Sequence, residues 1–128
     1  MTFKIVKRRI FPMNFSFDDL YSYRFMYDSD NKKLEISFHS YYAKDINTAV
    51  ERNCVLSICD WTSAKGKLSE DSRWSSDINP FIGVVDMILS MNEEEDGDGS
   101  YLTMTVMTND DRYVDWRFAN AKVEIMVE

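Results

Sequence analysis

Glycine and proline are scarce in this chain of 128 residues, which has four of the first and two of the second. Four scattered glycines cannot build the glycine loop that cradles a phosphate, and no Gly-x-Ser-x-Gly elbow is present to raise a nucleophilic serine. The prolines, Pro12 and Pro80, leave no Pro-rich linker, so residues 1–128 read as one domain. Histidine occurs once, at His39. With so few nitrogen and sulfur ligands a zinc site is not expected, and neither a metal nor a cofactor is assigned. The two cysteines, Cys54 and Cys59, are separated by an odd number of positions. On a strand they point to opposite faces and cannot bridge each other, so both read as reduced thiols. No apolar run approaches the ~20 residues that span a bilayer. The N-terminus is basic at Lys4, Lys7, Arg8 and Arg9 and lacks the apolar stretch of a signal peptide, so the chain as written reads as cytosolic.

Core material is plentiful: 45% of the residues are hydrophobic and 14% aromatic. A chain of this length buries roughly two-thirds of its unfolded surface, which is enough to fold without a staple. Net charge is −7. Residues 1–53 carry 9 Lys/Arg against 7 Asp/Glu, and residues 54–128 carry 6 against 15, so +2 and −9 make up that total. Nucleic-acid binding requires cations to neutralise phosphates, and an anionic membrane surface likewise attracts cations. The acidic half therefore argues against both and favours a basic protein partner.

Strand-like runs separated by turn chemistry dominate the chain. Phe3, Ile5 and Lys7 alternate with their neighbours in a first strand ending near Pro12, basic enough to guard a sheet edge. Leu20 to Tyr27 and Leu34 to Ser40 flank the polar turn 28–33 and read as a β-hairpin. Asp45 can cap a helix, and Ile46, Ala49, Val50 and Asn53 follow helical spacing, so a short surface helix is expected over 44–53. Cys54 to Trp61 is a nearly continuous apolar strand. Lys65 to Asp77 reads as a polar loop, with a short edge strand near Lys67-Leu68. Residues 81–91 fit either period; a strand is preferred over a helix at 80–91, because the acidic run 93–99 suits a hairpin turn leading into the strand Tyr101–Met107. Arg112–Phe118 and Ala121–Val127 complete the pattern, with turns at 109–111 and Asn120. The expected fold is mainly β, an antiparallel sandwich or partly open barrel of about seven or eight strands with one short helix.

No catalytic residue is assigned. His39 lies out of phase with Ile36 and Phe38 and reads as a surface strand residue. Five carboxylates fall within six positions, Glu93, Glu94, Glu95, Asp96 and Asp98, and Asp110, Asp111 and Asp115 add to them. The run lacks the distal glutamate of a calcium loop. A solvated hairpin tip or an acidic docking patch accounts for it. Trp74 stands alone in a polar stretch and is a candidate apolar anchor for a partner. Tyr21, Tyr23, Phe25 and Tyr27 recur at a spacing of two and line one face of a strand.

The layout resembles a known group. Phe15-Ser16-Phe17-Asp18-Asp19 leads into a strand, a Tyr27-Asp28 turn and a Leu34-Glu35-Ile36 return follow, then the strand ending Asp60-Trp61, the Gly83-Val84-Val85 segment and the closing Ala121-Lys122-Val123-Glu124-Ile125. Together these resemble the small β-rich immunity proteins found beside bacterial polymorphic and contact-dependent toxins; the polar stretch 62–77 departs from that pattern. The resemblance implies a cytosolic, acidic protein that blocks a cognate toxin stoichiometrically. Such families share no catalytic signature, so no site residue is carried over.

The expectation is therefore a non-catalytic immunity-type inhibitor that occludes a basic toxin active site, such as that of a nuclease domain. Its acidic surface would comprise Glu93, Glu94, Glu95, Asp96, Asp98, Asp110 and Asp111, with Trp74 as the anchor. Two alternatives belong to other classes: a small-ligand-binding β-barrel or sandwich with Tyr21, Tyr23 and Trp116 around a cavity, and a phage-type structural or assembly subunit.

Overall fold

A computed structural model describes the backbone of residues 3–7 together with residues 15–97 and 99–128. Pro12, Arg8, Arg9 and Asp98 lie outside the described residues, as do the side chains of residues 3–7 and Asp96. Alternation in the sequence becomes two packed antiparallel sheets. The first has five strands: β1 (Phe3–Lys7), β3 (Ser22–Asp28), β4 (Lys33–Phe38), β7 (Cys54–Cys59) and β12 (Lys122–Val127), in the order β1-β12-β7-β4-β3. The second has four: β8 (Ser63–Leu68), β9 (Val85–Asp96), β10 (Gly99–Thr108) and β11 (Tyr113–Ala119), in the order β8-β11-β10-β9. A small third sheet of β2 (Phe15–Ser16), β5 (Tyr41–Ala43) and β6 (Thr48–Val50) completes a mainly β sandwich, twelve strands among the described residues. The count exceeds the seven or eight expected because pairs and triplets such as β2, β5 and β6 are too short to show alternation.

Register fixes which side chains meet. Leu34, Ile58 and Val123 form one inward row of the five-stranded sheet, Ile36, Leu56 and Ile125 the next, and Phe38, Cys54 and Val127 the third. Across from them the four-stranded sheet presents the pairs Leu102 and Phe118, Met104 and Trp116, and Val106 and Val114. All these residues are buried. Phe17 stacks on Phe38 with ring centroids 4.5 Å apart, carrying the core toward the small sheet, while Trp61 packs on Phe118 at 4.8 Å. The sandwich joins at one corner, where Tyr21 bridges Met87 and the Ser22 hydroxyl donates to the Val85 carbonyl.

The segment 69–84 is tethered. Ser75 and Gly66 exchange both backbone hydrogen bonds, at 2.8 and 3.1 Å. A 3-10 turn, Asn79–Phe81, lies over the core edge, and the Trp116 indole N–H donates to the Phe81 carbonyl at 2.8 Å. A Cβ at Gly66 would stand 2.9 Å from the Phe81 ring, so glycine here is what lets the turn close down. This packing also explains β8. Its Ser-Ala-Lys-Gly-Lys-Leu sequence has little strand propensity of its own. Pairing with β11 and the cover of Phe81 hold it extended over 63–68, an edge strand that includes Lys67-Leu68 as expected but begins earlier.

Two local expectations are corrected. The helix expected over 44–53 is a hairpin. Asp45 Oδ1 does accept from the Ile46 N–H, but Asn47 takes a left-handed conformation (φ 52°) that ends any helix, and Thr48–Val50 turns back to pair with Tyr41–Ala43. The acidic run 93–99 is mostly strand: β9 continues through Asp96, leaving only the tip to turn. Gly99 closes that hairpin at φ 147°, where a Cβ would stand 2.6 Å from Asn120 Oδ1. The preference for strand over helix at 81–91 holds from Val85 onward. Two irregularities in β9 give inward residues Val85, Ile88 and Met91, and this spacing of three imitates a helical stripe before alternation resumes at Glu93.

Candidate functional site

The outer face of the four-stranded sheet gathers most of the chemically distinctive side chains, in rows that cross the strands. At one end, Tyr21 lies beside Met87, Met87 opposite Met107, and Met107 opposite Tyr113. Paired residues share a face, so four large side chains stand in line across the residue preceding β3 and the strands β9, β10 and β11. Tyr21 is 68% exposed and Tyr113 55%. Exposed Val84 adjoins the same end, its carbonyl accepting from the Asn109 N–H.

The turn 109–111 sits between Met107 and Tyr113. Asp110 is committed to that turn. It accepts from the Thr108 hydroxyl and pairs with Arg112 Nε at 2.8 Å. The Thr108 bond foremost, with the Arg112 charge, holds its carboxyl below the usual aspartate range. Arg112 in turn donates to the carbonyls of Pro80 at 2.8 Å and Ile82 at 3.3 Å. Asp111 is exposed at φ 63°, with its carboxylate toward solvent.

The middle of the face is an ion-pair network. Asp115 Oδ1 accepts from the hydroxyls of Ser69 at 2.7 Å and Thr105 at 2.8 Å, and Lys67 Nζ lies 3.0 Å from Oδ2. Burial pushes the Asp115 carboxyl up, but these bonds and the Lys67 charge outweigh it and leave the group below its ordinary value. Lys67 also donates to the Asp71 carbonyl at 2.8 Å and sits 5.3 Å from the Trp74 ring. Trp74, expected as a bare hot spot, is thus half-buried against a lysine, with its lone place in the sequence filled by a neighbour from another strand.

Strand alternation divides the acidic run. Glu93 points inward beside Leu102 and is 8% exposed, so it adds no carboxylate to the outer surface. Glu94, opposite Tyr101, and Glu95, opposite Ser100, are exposed. These lie at the far end of β10 from Asp110 and Asp111. Six residues separate Tyr101 from Met107, about 20 Å at the rise of a strand. The structure therefore does not gather Glu93, Glu94, Glu95, Asp110 and Asp111 into one patch; it sets two acidic ends on one sheet, and the side chains of Asp96 and Asp98 lie outside the described residues.

The other candidates separate as well. Trp116 is fully buried, whereas Tyr21 and Tyr23 are exposed, so the three do not enclose a common cavity. A bulge between Ser22 and Arg24 throws Tyr23 outward onto His39, the rings stacked at 4.0 Å, while Phe25 and Tyr27 pack on Trp116 and Trp61. His39 Nδ1 is hydrogen-bonded to Asn53 Oδ1 at 2.8 Å. Both cysteines are free, and burial pushes the Cys54 thiol up to about 12, far from a nucleophilic thiolate. Among the described residues no three His, Cys, Asp or Glu side chains converge as metal ligands, and no helix is long and apolar enough to cross a membrane.

Comparison with known proteins adds no relative: no family model matches the chain, and neither does any curated protein or solved structure. The row Tyr21–Met87–Met107–Tyr113 was not visible in the sequence as a unit. Met107 and Tyr113 flank an acidic turn, which was a local signal, but Tyr21 and Met87 join them only through pairing across 66 positions.

Proposed function

We propose that this chain is a non-catalytic binding protein of the immunity type, which seats a basic partner on the Tyr21–Met87–Met107–Tyr113 row and covers that partner's cationic surface. The observation that carries the reading is the row itself: four large apolar or aromatic side chains in register, its ends more than half exposed, with Asp110 and Asp111 between two of its members. Contiguous exposed apolar surface marks interaction sites. Tyrosine is enriched at interface hot spots, and methionine adapts to an irregular partner. A net charge of −7 steers a cationic protein toward the face and repels nucleic acid. The likeness in layout to β-rich immunity proteins supports a toxin, such as a nuclease domain, as the basic partner.

The test compares tagged wild type with Tyr113→Ala and Asp111→Asn in capture from lysate of the source cells, at low and high salt. The reading predicts one stoichiometric basic protein, lost from wild type as salt rises and weakened about tenfold or more by Tyr113→Ala. Equal capture by all three proteins, or a second copy of this chain as the captured species, would overturn it.

A further inference from the structure

The opposite end of the same face carries a different feature. Thr62, Ser63, Lys65, Tyr101, Arg117 and Asn120 line a surface cleft of about 270 Å³, and among the described residues no carboxylate lines it. Lys65 and Arg117 stand directly opposite each other across β8 and β11. Like charges in that position repel, and in a chain of net charge −7 a neutralising acid would be easy to supply. One row away Lys67 has such an acid in Asp115.

Among the described residues Arg117 has no such acid. Its guanidinium carbon sits 4.2 Å from the Tyr101 ring centroid. Among the described residues its buried Nε–H has no hydrogen-bond partner. The cleft wall is rigid: Asn120 Nδ2 donates to the Thr62 hydroxyl at 3.1 Å, that hydroxyl donates to the Ala119 carbonyl at 3.3 Å, and Asn120 Oδ1 accepts from the Ser100 N–H at 3.2 Å. Arg117, placed over the Tyr101 ring, and the exposed Lys65 opposite it, beside the Ser63 hydroxyl in a cleft of this size, match a compact dianion with several acceptor oxygens.

We propose that this cleft binds the phosphate group of a small phosphomonoester, a ligand separate from the protein partner on the Tyr113 row. The dianion answers both charges at once, and Tyr101 supplies a ring edge for the organic part. Glu94, which faces Tyr101 from β9 and does not line the cleft, works against larger anions. Nucleic acid is disfavoured on the same ground.

The test is thermal unfolding and amide-resolved NMR titration of the full chain with inorganic phosphate and with glycerol phosphate, each against sodium chloride at matched ionic strength. Lys65→Gln, Arg117→Gln and the distant Lys44→Gln are run in parallel. Phosphate is expected to raise the thermal midpoint by several degrees near saturation. Shifts should centre on Thr62, Ser63, Lys65, Tyr101, Arg117 and Asn120. Lys65→Gln, at an exposed position, should weaken binding about tenfold without lowering the ligand-free midpoint, since it relieves the repulsion from Arg117, and Lys44→Gln should leave binding intact. The same response to chloride, shifts scattered over the surface, or undiminished binding by Lys65→Gln would each overturn the proposal. Binding of inorganic phosphate without glycerol phosphate would contradict the phosphomonoester assignment.

Discussion

Lys67 Nζ and Asp115 Oδ2 stand 3.0 Å apart on the outer face of the four-stranded sheet, both largely shielded from water. The Asp115 carboxyl is held below its ordinary value, so folding favours its ionised form. Its contribution to stability is therefore fully present above the unfolded aspartate value of about 3.9 and is lost as pH falls toward the lower folded value. Asp115→Asn should cost roughly 1–3 kcal/mol at neutral pH, because Lys67 loses its partner. The difference from wild type should shrink in denaturant titrations carried below that window. A difference that stays constant down to strongly acid pH would show that the charge is not what matters.

Trp116 ties the tethered segment to the core through its bond to the Phe81 carbonyl. Trp116→Phe keeps most of the buried ring but leaves that carbonyl without its donor, at a cost of about 1–3 kcal/mol on top of any packing loss. Proteolysis at 69–84 should accelerate more than global unfolding does. Unchanged protection of that segment would sink the tethering role.

Burial separates the thiols by degree. With its thiol pushed up to about 12, Cys54 has roughly one group in ten thousand ionised at pH 8, so it should react with a disulfide reagent only when the protein opens. Cys59 is also raised, by burial first and then by Asp60 and Glu124, but it is partly exposed. One slow and one very slow phase are expected in the native state, merging into one fast phase in denaturant. Rapid native labelling of Cys54 would contradict the packing around it.

The two acidic ends should behave differently. Asp110→Asn removes the charge and one of the two carboxylate oxygens that accept from Thr108 and Arg112, so it should lower stability measurably. Paired substitution of Glu94 and Glu95 by Gln, at exposed positions on the far end, should leave stability unchanged within about 0.5 kcal/mol. Denaturant midpoints of the variants settle this; equal losses at both ends would mean that Asp110 is as dispensable to the fold as Glu94.

Much of this sandwich could be read from alternation. Leu34-Ile36-Phe38, Tyr101–Met107 and Val123-Ile125-Val127 carry the period of two, and each lies in a strand with those residues inside or in register. Reading failed where another force sets the conformation. At 44–53, apolar residues at helical spacing suggested a helix, but the left-handed turn at Asn47 and the pairing of Thr48–Val50 with Tyr41–Ala43 override that spacing. In β9, irregularities converted strand into helix-like spacing. The candidate site was less legible than the fold. The acidic run showed in the sequence, but its division into inward Glu93 and outward Glu94 required knowing that the strand continues. The Tyr21 row required contacts between distant segments, which a single sequence does not display.

The most direct test of the binding surface places a photo-crosslinking phenylalanine analogue at position 113, at position 21, or at the control position 42 on the small third sheet, in the source cells. The proposed function predicts that positions 113 and 21 capture the same basic protein and that position 42 does not. Adducts to that protein from position 42 alone, or none from 113 and 21 while the partner is present, would contradict it.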